Sequence, residues 1–135
     1  MPEISKEFLG RGWKFPVEVD KRTGRILMSE YDEDIKQAIN IIVMTKKGER
    51  VFLPEFGCDI HRFVYDMSDY TTLKQMEMAV TEAINMWEDR IENLSVAADP
   101  AVGEEGKIHI EISYRVKGTA SVYSIIYPYY FNEGM

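Results

Sequence analysis

Cysteine, histidine and clustered carboxylates are the side chains of this sequence that could carry out chemistry. Cys58 and His61 stand three residues apart, a spacing that lets both share a helix face. As a metal site they would need two or more further ligands, and the chain has only one other histidine, His109. As a nucleophile and its base they would need a group that activates the thiol, and no neighbour supplies one. The carboxylates fall into three groups: Glu30, Asp32, Glu33 and Asp34; Glu88, Asp89 and Glu92; and Glu104 with Glu105. A glycoside hydrolase uses two carboxyls about 5–9 Å apart across a cleft, one with a raised pKa. Acidic runs also serve as solvated helix faces, and Asp32–Asp34 fall where a helix N-terminus favours negative charge. Gly10-Arg-Gly12 is too short for a dinucleotide loop, and Gly48 beside Lys46 and Lys47 lacks the spacing of a phosphate loop. Trp87-Glu-Asp-Arg90 closes a helical pattern. Arg90 there suits the negative end of the helix dipole, and its planar guanidinium also suits a protein interface.

The elements that must position these groups can be read from periodicity. Phe15–Val19 and Arg25–Met28 read as two short strands around a turn at Asp20–Gly24. Ser29 offers a helix N-cap with Asp32 three residues on, and Ile35, Ala38, Ile39, Ile42 and Val43 follow at helical spacing. Lys46, Lys47 and Gly48 suit the end of that helix. Val51–Leu53 is a short apolar run stopped by Pro54, and Asp59 can cap a short helical piece with Ile60, Phe63 and Val64. A longer helix starts near Thr72, with Gln75 completing a capping box and Leu73, Met76, Val80, Ala83, Ile84 and Trp87 on one face.

The period then changes to two. Leu94, Val96 and Ala98 alternate up to Asp99-Pro100, and Ile108, Ile110, Ile112, Tyr114 and Val116 alternate with polar residues. Ser121–Phe131 is the return strand, and Pro128, which cannot donate to a ladder, points to a sheet edge or an irregular end. The expected fold is α+β: a mainly antiparallel sheet with two principal helices packed on one face. Residues 1–14 read as an arm and 15–135 as a single domain.

Composition sets the outer bounds. The chain has 135 residues, 23 acidic and 16 basic side chains, one Cys and a net charge of −7. That length fits one domain, able to bury about 68–70% of its unfolded surface without a staple. One Cys excludes an intramolecular disulfide framework. The acidic balance argues against a general nucleic-acid binder, and neither a membrane span nor a signal-peptide core is visible. The charge is unevenly spread: residues 59–105 hold eleven acidic and three basic groups, whereas residues 118–135 carry Glu133 alone. That last stretch holds Tyr123, Tyr127, Tyr129, Tyr130 and Phe131, an uncharged aromatic strand that must be covered by its own sheet or by a partner.

Three segments in order resemble a known family. Gly10-Arg-Gly-Trp-Lys-Phe-Pro16 is similar to its Gly-x-Gly-Trp-x-Phe-Pro signature. Gly48-Glu-Arg50 followed by Pro54-Glu-Phe-Gly57 resembles its Gly-Glu-Arg…Pro-x-Phe-Gly segment, and Trp87-Glu-Asp-Arg90 sits where it carries Glu-Pro-Arg after a helix. The family is the baseplate wedge and sheath-initiator protein of contractile tails, found in phages, pyocins, type VI secretion and extracellular injection systems. The resemblance implies a structural protein and no enzyme, with no cofactor, metal or catalytic residues. It would be assembled in the cytoplasm and built into the particle's baseplate.

The implied partners are baseplate wedge proteins and sheath subunits, with tube or spike-hub proteins as further contacts, and neither nucleic acid nor membrane. By position, Trp87, Glu88 and Arg90 would meet the helical core bundle of the wedge. Asp89 stands in place of the family's proline, so the turn lacks that rigidity. Extended arms of the sheath would join the sheet by strand addition, for which the last strand, with Tyr123, Tyr127, Tyr129 and Phe131, is the expected edge. Arg90→Ala is expected to leave the isolated domain folded and to block its incorporation into baseplates. Two alternatives from other classes are a small peptidoglycan-cleaving hydrolase using a carboxylate pair and a monomeric small-molecule binder.

Overall fold

Strict alternation at Ile108, Ile110, Ile112, Tyr114 and Val116 becomes strand β4 (Lys107–Val116), with all five side chains buried. The computed structural model describes the backbone of Gly12–Trp13 and Val19–Lys21 and the whole of residues 29–131. Around β4 lie β1 (Gly12–Trp13), β2 (Val19–Lys21), β3 (Ile91–Pro100) and β5 (Val122–Tyr130). Helices α1 (Glu30–Met44) and α2 (Tyr70–Trp87) and a 3-10 helix (Asp59–Phe63) complete the described elements. The fold is α+β. Every sheet pairing is antiparallel: β3 joins β4, β4 joins β5, and both β1 and β2 join the far side of β5.

Helix α1 begins as its sequence predicts. Ser29 accepts a hydrogen bond from the Asp32 N–H at 3.0 Å, and Ile35, Ile39, Ile42 and Val43 are buried. Helix α2 begins three residues earlier than the Thr72 box predicts. The Asp69 carboxylate accepts from the Thr72 N–H at 2.9 Å, so Thr72 is the third helical residue and faces inward. An aspartate N-cap satisfies the orphan amide with a full negative charge at the positive end of the helix dipole. Cys58, without a side-chain hydrogen bond to the helix start, occupies the N-cap position of the 3-10 helix that Asp59 was expected to cap. Val51–Leu53 is an exposed loop.

Strand β5 corrects the expectation of an edge. It lies inside the sheet, and its odd-numbered side chains, Tyr123 through Tyr129, are buried, as is Phe131 just beyond it. The Phe131 N–H bonds Gly106 O on the β4 side at 2.7 Å, and backbone donors alternate along a strand. The nitrogen of Pro128 therefore faces away from β4. There it falls between the residues paired with β1 (Tyr129 and Tyr130) and those paired with β2 (Tyr123–Ile125). Among the described residues no ladder bond is lost there, so proline is tolerated in an interior strand. Asp20 and Lys21, expected in a turn, belong to β2, and Gly12–Trp13, expected in an arm, pair with Tyr130 and Tyr129. The strand expected at Arg25–Met28 lies outside the described residues.

The phenols of the buried β5 face reach the elements above it. Tyr123 Oη donates to Asp32 at 2.6 Å, Tyr127 Oη to the Asn40 side-chain oxygen, and Tyr129 Oη to Ile60 O at 3.0 Å. The 45–58 loop returns the chain from α1 to the 3-10 helix. It closes where Cys58 N–H meets Thr45 O at 2.8 Å. Gly57 has φ +124°, and a Cβ there would lie 2.5 Å from Thr45 O. Gly57→Ala is expected to cost about 3 kcal/mol or more, against about 1–2 kcal/mol for Gly103→Ala, which has φ +82° and open space around it. Urea denaturation of the two variants checks this, and equal losses would remove the close contact as the cause.

Candidate functional site

At the end of α2 the Glu88 N–H still bonds Ile84 O at 2.9 Å, and the backbone then becomes extended. Glu88 is only 5% exposed. Its carboxylate is held by one residue: Arg90 reaches Oε1 with Nε at 2.8 Å and Oε2 with Nη2 at 2.7 Å, and the Arg90 N–H adds a third bond at 3.0 Å. The remaining arm, Nη1, bonds Asp34 on the first turns of α1 at 2.9 Å, with the Tyr31 ring 5.8 Å from the guanidinium carbon. These bonds, Glu88 first and Asp34 second, raise the guanidinium pKa further, so Arg90 stays charged. The main chain is fixed by Lys117 N–H on Arg90 O at 2.9 Å. The turn is held rigid by this fork of charge-assisted bonds, without a proline at Asp89.

Trp87 joins a second motif to this turn. Phe56 meets its ring edge-on at a centroid distance of 5.1 Å, and the Arg50 guanidinium lies 4.4 Å over Phe56. The Gly48–Gly57 loop is braced by Gly48 N–H on Pro54 O at 2.7 Å and by Lys46 N–H on the Glu49 carboxylate at 2.8 Å. Two segments that the sequence keeps about 30–40 residues apart therefore form one surface, and Phe52 stands 97% exposed on the same loop. Sequence spacing reveals neither this stack nor the role of Asp34, 56 residues from Arg90.

Tyr123, Tyr127, Tyr129 and Phe131 lie elsewhere, between sheet and helices, all below 9% exposure. Their side chains pack the core and face no open edge. Among the described residues, the outermost strand beyond β4 is β3.

The other chemical candidates do not converge. The Cys58 thiol is buried and leans on Ala79 O at 3.8 Å, and burial pushes its pKa up to about 12. His61 turns its Nε2 to Val43 O at 3.2 Å, and burial lowers its pKa. The carboxylates are engaged one by one: Glu92 with Arg115 at 2.6 Å, Glu104 with Lys107 at 3.3 Å, Glu33 with Gln37 at 3.2 Å. Among the described residues, no group of three His, Cys, Asp or Glu side chains is placed to hold a metal. No described helix is long and apolar enough to cross a membrane.

A family model described as baseplate wedge protein gp25 matches residues 29–121. The chain belongs to this family. The braced loop and the Trp87–Arg90 turn lie inside the matched stretch, and the Gly10–Pro16 segment lies outside it. The baseplate wedge protein gp25 of Enterobacteria phage T4 is 33% identical over 82 residues, and the match spans 61% of each chain. A crystal structure from Geobacter sulfurreducens, provisionally described as a tail lysozyme, is 44% identical with a TM-score of 0.70. It covers 82% of this chain and 99% of its own. A chain of the type VI secretion baseplate complex shares the fold, with a TM-score of 0.53 at 18% identity over 74% of this chain and 89% of its own. The gp25 family is one of structural baseplate proteins.

The Glu88–Arg90 fork adds an energetic cost to the Arg90→Ala expectation for this gp25-family chain. The variant strands a buried carboxylate and is expected to destabilise the isolated domain by about 2–4 kcal/mol. Adding Glu88→Gln is expected to restore most of that loss, which denaturation of the single and double variants measures; additive losses would dismiss the fork as a coupled pair. Cys58 is expected to resist a neutral-pH disulfide reagent until the domain unfolds, and rapid labelling of the native chain would contradict its burial.

Proposed function

We propose that this protein is a non-catalytic adaptor of a contractile particle, linking wedge proteins to the first sheath ring. The Trp87–Glu88–Arg90 turn carries the reading. It presents a half-exposed, always-charged guanidinium in a fixed orientation beside an aromatic stack, a combination suited to anchoring a protein partner. The wedge core bundle would dock on that turn. Sheath subunits would add an extended strand to the sheet, and the protein would template the first ring on the baseplate. The aromatic residues of β5 would support the sheet from within and would not meet the sheath. Assembly would take place in the cytoplasm, with the product retained in the particle.

A second reading, peptidoglycan hydrolysis, is supported by the description given to the Geobacter relative. The two separate cleanly. The adaptor reading expects the purified protein to release no peptidoglycan fragments. It also expects the folded Glu88→Gln/Arg90→Gln double variant to be missing from purified baseplates, because it lacks the charged anchor while leaving no stranded carboxylate. Normal incorporation of that variant would remove the turn as the wedge contact. Muropeptide release that disappears on a single Glu→Gln substitution would replace the adaptor with the enzyme.

A further inference from the structure

Strand β3 pairs with β4 alone among the described strands. The Ala101 N–H on Lys107 O at 3.0 Å fixes the alternation, so the amides of Ser95, Ala97 and Asp99 point to β4. Those of Val96 and Ala98 point outward. The outward edge is short: Pro100 has no N–H, and at the other end Asn93, at φ +56°, sits in a bulge between Glu92 and Ser95. Helix α2 reaches over what remains. Glu77 Oε2 accepts the Ala98 N–H at 2.8 Å, while Oε1 takes Lys74 at 3.3 Å.

Beside Val96 a groove of about 560 Å³ opens between this edge, α2 and the 3-10 helix, with Met78 and Ala79 among its apolar walls. Its charges are unbalanced. Arg62 is paired with Asp59 at 3.1 Å and Glu77 with Lys74 at 3.3 Å, which leaves exposed Glu82 as the carboxylate excess a newcomer meets. A second copy of this chain would bring the same carboxylates to the same edge and be repelled. An extended segment bearing Lys or Arg would not.

We propose that Glu77 is a latch on the edge of β3, and that a basic extended segment of a partner opens it. The incoming backbone takes the Ala98 N–H with its own carbonyl oxygen and pairs with Val96. Its cation meets Glu82 and the Oε2 that Glu77 withdraws from Ala98, Oε1 staying with Lys74. The latch rests on the strand-addition reading above and adds to it the edge used and the chemistry of the segment.

Amide hydrogen exchange on the purified full chain tests it, with the Ile110 amide of β4 as a folding control. Glu77→Ala is expected to speed Ala98 exchange about tenfold while Ile110 is unchanged. Glu77→Gln keeps an acceptor for Ala98 and is expected to leave its exchange near that of the parent. A synthetic peptide alternating Val and Lys is expected to slow exchange at Val96 and Ala98, and a Val–Glu peptide to leave both alone. Glu77→Gln should weaken the Val–Lys effect about threefold or more. A Val96 amide already as protected as Ile110, unchanged Ala98 exchange in Glu77→Ala, or equal effects of the two peptides would each overturn the latch. If the Val–Lys peptide protects both amides and cognate sheath subunits do not, the latch stands and the sheath is not its partner.

Discussion

The phenols of Tyr123, Tyr127 and Tyr129 on β5 are both buried and hydrogen-bonded, and the arrangement of the layers follows from that double demand. A buried hydroxyl without an acceptor costs about 1–3 kcal/mol, so a polar atom at a set height above the sheet stabilises each of these three tyrosines. Asp32 and Asn40 on α1 and the Ile60 carbonyl of the 3-10 helix provide three, in chain order along both partners. Once α1 and the 3-10 helix are set at those heights, the loop between them has to double back tightly, which places Gly57 against Thr45. The same loop brings Phe56 to Trp87, and the aromatic stack beside Arg90 results. The candidate interface is thus a downstream product of core chemistry.

What was legible in the sequence was local. Strict alternation of isoleucines identified β4 because one buried face and one wet face leave a period of two. The Ser29 cap and the α1 stripe were legible for the same reason. At α2 two overlapping patterns competed, and Asp69 displaced the threonine box because a carboxylate is the stronger partner for amides at that dipole end. Pro128 misled in a more instructive way. The rule against proline inside sheets concerns a lost donor, and here the missing donor faces away from β4, at a position paired with neither β1 nor β2 among the described residues. Of the site, Trp87, Glu88 and Arg90 could be named from a motif. Asp34, the Phe56 stack and the Glu77 contact to Ala98 could not, because each depends on how separate segments pack.

Net charge also changes meaning once the pairs are located. The acidic excess of residues 59–105 suggests a solvated or repulsive middle. Several of those acids have structural duties: Asp69 caps α2, Glu88 is buried under Arg90, Glu92 is held by Arg115 and Glu77 closes a backbone edge. Charge in this chain is spent on fixing geometry, and only a fraction of it is left to shape the field that a partner meets.

The interior position of β5 bears on how the chain folds. The strand in the middle of the sheet is the last of the described strands in chain order, and its neighbours include Gly12–Trp13, more than a hundred residues upstream. Its phenols likewise close contacts spanning 69 to 91 residues. Such non-local pairing makes for slow folding and leaves little that can be completed early. A nascent chain still lacking β5 exposes the apolar face of β4 and the undersides of both helices, so the core stays incomplete until β5 has been delivered. Truncated products would be aggregation-prone rather than partly functional.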